Sequence, residues 1–328
     1  MRTSLRVCNQ GCDFSDLDRA IKALKPGGTI TMPPGLTGTC GVIDRPLKLV
    51  GKKDGKGRRA HLAGGICLGK ASLVVRAANV TISRLEISNN RGRDKNGACI
   101  RIDLQTSDLK IDDLYCHDNE NGILGGLNKG RLVITNSLFE RNGANSGKAH
   151  ALHINKGDEL IIKKSRILAT KGRGHSLKTG ARRTVVEDSV LAALEGRNSG
   201  AIDAYGGGEL IVCRSVLQQG KNSDSHEIIA IAMESRRIKS DPSATILEDN
   251  WFIYDDPARC CRWLLNGQRP GPFTVRNNTM VGLTNVHMPE TERKVLNENR
   301  FFKNRAEAQL PLYDGTSGSL PEPGFKIP

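Results

Sequence analysis

The chain has 328 residues, 38% hydrophobic but only 4% aromatic, with 36 glycines. That is short of the large rings that fill most globular cores and suits a narrow stack of Ile, Val and Leu strands joined at glycine turns. The net charge is +14, from 49 Lys+Arg against 35 Asp+Glu, a field that attracts polyanions. The basic residues are dispersed, and neither zinc-finger spacing nor an aromatic–basic module occurs. An acidic glycan partner, or simply a solvated basic surface, is therefore favoured over nucleic acid, and no run of apolar residues is long enough to span a membrane.

Residues 13–25, DFSDLDRAIKALK, place Leu17, Ala20, Ile21 and Leu24 on one helical face, with Ser15 or Asp13 as cap. PGG stops that helix and TITMPPG reads as strand and turn. This 1–35 segment is expected to cap a repeat array that occupies 36–283, with a terminal coil fragment and tail at 284–328. Within 36–77, LKLVG, GGICLG and SLVVRA are strand candidates and the Lys/Gly/Arg run at 51–59 is a loop.

From Val80 a repeat is plain. VTISRLEI (80–87), LKIDDLYC (109–116), LVITNSLF (132–139), LIIKKSRI (160–167), TVVEDSVL (184–191), LIVCRSVL (210–217), TILEDNWF (245–252) and FTVRNNTM (273–280) share apolar or small residues at positions 1, 3, 6 and 8. The change from spacing two to spacing three predicts a bend in mid-strand. At position 6 the series reads Leu85, Leu114, Ser137, Ser165, Ser189, Ser215, Asn250, Asn278, a column able to hydrogen-bond along a stack. Repeats of 23 to 35 residues fit neither a leucine-rich horseshoe nor a propeller blade. They predict an all-β fold, a single-stranded parallel β-helix of about 9–11 coils with a short N-terminal capping helix. An extra loop is expected between 217 and 245, and LNENRFFKNRAEA reads as a last coil fragment.

Nine cysteines form no CxxC pair. Cys8, Cys12 and Cys40, or the Cys260–Cys261 region, are the candidates for bridging, and the odd total leaves at least one thiol without an intramolecular partner. No signal peptide precedes MRTSLRVCNQGC, so a secreted or periplasmic location implies that one has been removed.

The run from about 13 to 305 resembles the pectate-lyase-like, right-handed parallel β-helix superfamily, and DFSDLDRAIKALKPGGTITMPPG is similar to the usual start of its members. The resemblance implies a lyase, hydrolase or C5-epimerase of an acidic polysaccharide, with the ligand bound along an exposed parallel sheet. The acidic group that holds calcium in some of these lyases has no residue-by-residue match here, so no cofactor is expected.

The first strands of the coils align through Ile100, Ile123, Leu152, Leu177, Ile202 and Ile228. The residue after each anchor points outward, giving the column Arg101, Leu124, His153, Lys178, Asp203, Ile229. Two residues further on come Asn155, Gly180 and Tyr205, with Arg182 and Arg183 in the adjacent turn. Two residues before the anchors, His150, His175 and Gly200 fall on the inward parity, with His226 one coil on; a satisfied capping pair competes there with substrate contact. His117 and His287 have no aligned polar neighbours and read as incidental. Alternating side-chain directions argue against a metal shell among these histidines.

β-Elimination of a uronate polymer needs a cation to neutralise the C6 carboxylate, a base for the C5 proton and an acid for the leaving oxygen. Arg182 or Arg183 is the candidate cation, Lys178 or His153 the base and Tyr205 the acid. C5-epimerisation starts with the same proton abstraction. Hydrolysis needs a second carboxylate beside Asp203, from Glu227, Glu234, Asp224 or Glu195. Glycan binding without turnover, and a purely structural salt bridge between Lys178 and Asp203, are the remaining alternatives.

Overall fold

The computed structural model of the chain describes residues 1–232, 243–256, 263–267, 272–283 and 298–324. Each coil visits three parallel sheets in turn, as in Leu152–Ile154, Glu159–Lys163 and Arg166–Leu168, before Leu177–Thr179 begins the next. Among the described residues, the first sheet has 11 strands from Arg2–Arg6 to Phe273–Arg276, the second 9 from Gly41–Ile43 to Trp263–Gly267, and the third 11 from Gly35–Thr37 to Arg300–Phe302. The fold is therefore an all-β parallel β-helix, as the repeat predicts. Its core is a continuous column of inward aliphatic side chains, among them Ile100, Ile123, Leu152, Leu177 and Ile202.

The mid-segment bend has a single cause. Position 5 of each repeat, namely Arg84, Asp113, Asn136, Lys164, Asp188, Arg214, Asp249 and Asn277, is left-handed, with φ between 47° and 57°. A non-glycine residue there costs roughly 1–2 kcal/mol. The cost is offset because the N–H of each residue still reaches a carbonyl of the following coil, as in Asn136 N–H to Lys163 O at 3.2 Å. Position 6 then lies under the corner. Leu114 N–H donates to Ser137 Oγ (3.1 Å), Ser137 N–H to Ser165 Oγ (3.2 Å), and Ser165 N–H to Ser189 Oγ (3.1 Å). Ser189 N–H donates to Ser215 Oγ (3.1 Å), Ser215 N–H to Asn250 Oδ1 (2.9 Å), and Asn250 N–H to Asn278 Oδ1 (2.9 Å). Asn299, which no repeat pattern marks, ends the ladder by accepting Asn278 N–H at 2.9 Å.

The cap helix spans Leu17–Ala23, and its N-cap is Asp16, whose side chain accepts Arg19 N–H, rather than Ser15 or Asp13. LKLVG and SLVVRA contribute strands Leu47–Gly51 and Ala71–Val75, whereas GGICLG forms no strand and Ala60–Ala63 supplies the missing one. Disulfides join Cys8–Cys12, Cys40–Cys67 and Cys99–Cys116. Cys67, the partner of Cys40, and both members of the third pair were not among the expected candidates: Cys99 on the second sheet and Cys116 on the third close one coil across its own core, and Cys213 is a free thiol. Glu234, Cys260, Cys261 and His287 lie outside the described residues. Near the C-terminus, Arg300–Phe302 adds the expected coil fragment. The tail lies along the flank, where buried Arg305 grips Asp255 through two bonds of 2.6 and 2.7 Å.

Candidate active site

The outward column on the second sheet is in register over five coils: Arg101 pairs with Leu124, Leu124 with His153, His153 with Lys178, and Lys178 with Asp203. At the sixth coil the register differs by one from expectation. Ile202 pairs with Ile229 rather than Ile228, so Ala230 follows Asp203 in the column. HEIIAI offers four consecutive apolar residues, Ile228 to Ile231, and alternation alone does not choose among them.

The column's depth also differs from expectation. Strands Leu152–Ile154, Leu177–Thr179 and Ile202–Ala204 have 3 residues each, so the flanking turns curl over them. Asp203 is only 5% exposed, not a surface group. Its Oδ2 accepts from Lys178 Nζ at 2.9 Å and lies 3.5 Å from His175 Nε2, while its buried Oδ1 has no hydrogen-bond partner among the described residues. Lys178 Nζ also stands 4.8 Å from the centre of the Tyr205 ring. Tyr205 is beyond its strand and buried, donating from its hydroxyl to Asn155 O at 2.9 Å. Gly180 makes room for it: a Cβ there would come within 2.5 Å of the Tyr205 hydroxyl oxygen.

The two histidines assigned to inward parity separate. His150 is 2% exposed, and its Nδ1 accepts the backbone N–H of His175 at 3.0 Å. Burial, reinforced by the charges of His153, His175 and Lys178, pushes its pKa down to about 2, leaving it neutral. His175 stacks on it with ring centres 5.6 Å apart but turns its Nε2 toward Asp203, so it belongs to the cluster rather than the core. The inward expectation fails for His175 because its turn is not extended. Next in that row, Gly200 has no side chain to separate His175 from the start of strand Glu227–Ile231. Burial, with a contribution from the Asp203 charge, raises the Glu227 carboxyl above its ordinary value.

Arg101 stands two coils from His153 in a cleft of about 550 Å³, with Lys70, Arg76, Asp103 and Asn155 also in its lining. Burial alone would raise the Asp103 carboxyl; the Arg76 hydrogen bond and the charges of Lys70, Arg76 and Arg101 outweigh it and hold it low. Three cations to one carboxylate leave the cleft positive. Arg182 and Arg183 stand elsewhere. Arg183 opens a strand of the first sheet and is held between Glu159 and Glu209, while Arg182 is exposed and pairs with Asp158 at 2.8 Å. His117 is not incidental: it meets His61, Glu86 and Asp118 on the third sheet. The only signal for this grouping was register, and His61 lies upstream of the clear repeat.

Residues 63–216 match the family model described as right handed beta helix region. None of the curated proteins compared matches the sequence. Among solved structures, the chain is similar to Geobacillus virus E2 ORF18, with TM-score 0.59 and 13% identity over 85% of this chain, and it spans 57% of that protein's length. It is similar to an alginate lyase from Paenibacillus sp. str. FPU-7, with TM-score 0.58 and 16% identity over 92% of this chain and 97% of the other. A DFA-IIIase from Arthrobacter chlorophenolicus A6 gives TM-score 0.54 and 15% identity over 80% and 81%. Identities this low speak for shared fold alone. By its three-sheet coil and its matched segment, the chain is a right-handed parallel β-helix protein.

Proposed function

We propose that the protein is an extracytoplasmic enzyme that cleaves a uronate-containing glycan by β-elimination at His153, Lys178, Asp203 and Tyr205. The observation that carries this reading is the register column itself, which runs from the cationic cleft at Arg101 to an ammonium held on a buried carboxylate. An ammonium paired with Asp203 keeps its proton, so Lys178 neutralises the substrate carboxylate, the role first given to Arg182 or Arg183. His153, beside it, is the base. It takes the C5 proton, the C4=C5 double bond forms, and the C4–O bond breaks with its electron pair on the glycosidic oxygen. Tyr205, turning its hydroxyl from Asn155 O, protonates that oxygen. Arg101 and Asn155 bind neighbouring sugars in the cleft, and His150 sets the orientation of His175. Three disulfides suit an oxidising compartment.

One observation favours a second reading, hydrolysis. Glu227 is held toward its protonated form near Asp203, and two carboxyl groups kept in different states are the pattern of an acid/base pair. A screen of alginate, pectate, glucuronan, glycosaminoglycans and bacterial exopolysaccharides separates the two. Elimination gives ultraviolet-absorbing unsaturated ends, hydrolysis gives reducing ends without that absorbance, and binding without either product discards both readings. For elimination, His153→Ala and Tyr205→Phe abolish product while retaining glycan binding; full activity in both removes the site assignment.

A further inference from the structure

The third sheet carries a separate cluster that glycan chemistry does not use. His61 on Ala60–Ala63 pairs in register with Glu86 on Leu85–Ser88, and Ser88 pairs with His117 on Tyr115–His117. All three titratable side chains face outward, are half-buried, and come from three successive coils. Their ligand atoms lie within 4.8 Å of one another.

Hydrogen-bond logic sets acceptor against acceptor among them. His117 Nδ1 lies 2.9 Å from Asp118 Oδ2. The same carboxylate accepts from Arg141 Nη2 and from Lys171 Nζ, each at 2.8 Å. A carboxylate only accepts, so Nδ1 carries the proton and the lone pair of a neutral ring is on Nε2. That Nε2 points at Glu86 Oε1, 3.1 Å away. Two acceptors facing each other need a cation between them, either a proton or a metal ion. His61 Nδ1 is 3.4 Å from the same Glu86 oxygen, long for a hydrogen bond. It is close to the roughly 3.3 Å edge of a tetrahedron built on metal–ligand bonds of about 2.0–2.1 Å. The far nitrogen of each ring is fixed by an outer partner, Asp118 for His117 and Ser88 Oγ at 2.8 Å for His61, as ligating histidines usually are.

We propose that His61, Glu86 and His117 bind one zinc-class divalent ion, with a fourth position open to water. Two imidazoles and one carboxylate suit zinc and its transition-metal neighbours better than calcium or magnesium, which prefer all-oxygen sets. Because the ligands belong to three consecutive coils, the ion fastens them to one another on a face distinct from the glycan column.

The test uses the full chain, stripped with chelator and titrated with zinc chloride at neutral pH by calorimetry, with metal content measured after dialysis. The expected result is one zinc per chain and a raised melting temperature, with no shift from calcium or magnesium at the same concentration. His61→Ala and His117→Ala, checked as folded by circular dichroism, abolish that binding, and Asp118→Asn weakens it by about 10–100-fold. Glu86→Gln, which keeps the side chain's size, also loses it. Absence of zinc binding to the unaltered chain overturns the proposal and makes the cluster an imidazolium–carboxylate network. Binding that survives His61→Ala and His117→Ala, or that is lost instead in His153→Ala, overturns it equally.

Discussion

The first and second sheets share the same coils, yet they treat charge in opposite ways. On the first sheet, Arg183 bridges Glu159 and Glu209, Lys163 meets Glu187, and Arg214 meets Glu187 and Asp188, all at the solvent surface. Each of these charges has an opposite neighbour one coil away, and the strands that bear them have 5 residues each. On the second sheet the strands shrink to 3 residues, and the turns around them sink Asp203, His150 and Tyr205 below the surface. A paired surface charge promotes solubility and contributes little else. A sunken carboxylate with one ammonium partner, and one oxygen without a partner among the described residues, is costly to maintain.

The largest expected effect breaks this contrast at its centre. Lys178→Ala leaves Asp203 buried without its ammonium, a situation that costs about 3–5 kcal/mol, visible as a lowered urea midpoint. Adding Asp203→Asn to the same chain removes the stranded charge and restores much of the loss, while product formation stays absent. If Lys178→Ala alone is as stable as the parent, Asp203 is solvated and the contrast between the sheets disappears. Mutating Lys178 as though it were a simple outward group would thus confuse unfolding with lost chemistry; Lys178→Gln, which can still donate to Asp203, separates them.

Gly180 gives a second, smaller test. A Cβ there would lie 2.5 Å from the Tyr205 hydroxyl oxygen and 2.6 Å from Asn155 O, so Gly180→Ala must push the ring away. Overpacking of this kind costs about 1–3 kcal/mol. If Tyr205 is the acid, kcat falls more than KM rises; an equal change in both would make the tyrosine a binding surface only.

His150 makes the sheets differ in their response to pH. Its folded pKa is depressed to about 2 from 6.5, so in acid the unfolded chain binds the extra proton. The stability it contributes is full above pH 6.5 and is lost as pH falls below that value. Between pH 7.5 and 5.5 the loss is about 1.4 kcal/mol, measurable as a drop in melting temperature. His150→Asn, whose Oδ1 can replace Nδ1 as acceptor for His175 N–H, flattens that slope. A slope unchanged in the variant would assign the acid sensitivity to other groups.

Sequence periodicity carried the fold because both of its determinants are local. The shift from spacing two to three marks the left-handed corner, and the Ser and Asn at position 6 are the rungs beneath it. Asn299 escaped notice because the apolar spacing of the repeat fades beyond Val281 in the sequence, and the slip at Ile229 because a run of Ile and Ala carries no parity. The site was legible as a column, since register follows from the anchors Leu152, Leu177 and Ile202. Its depth was not, because depth depends on turns such as the one at His175 that leave the extended path. The His61 cluster needed three coils to be laid side by side, two of them before or at the start of the plain repeat.

The smallest expected effect lies on the first sheet and completes the contrast. Arg214 pairs with Glu187 and with Asp188 at 2.8 Å, yet its side chain is 41% exposed. Solvent screens such a pair, so Arg214→Ala is expected to cost no more than about 1 kcal/mol and to lose even that in high salt. Activity should be unchanged, because the residue belongs to a sheet that does not carry the column. A large, salt-insensitive loss would show that the surface ladders fasten the coils as strongly as the sunken cluster does. The burial of Asp203 would then no longer distinguish a working site from ordinary coil-to-coil pairing.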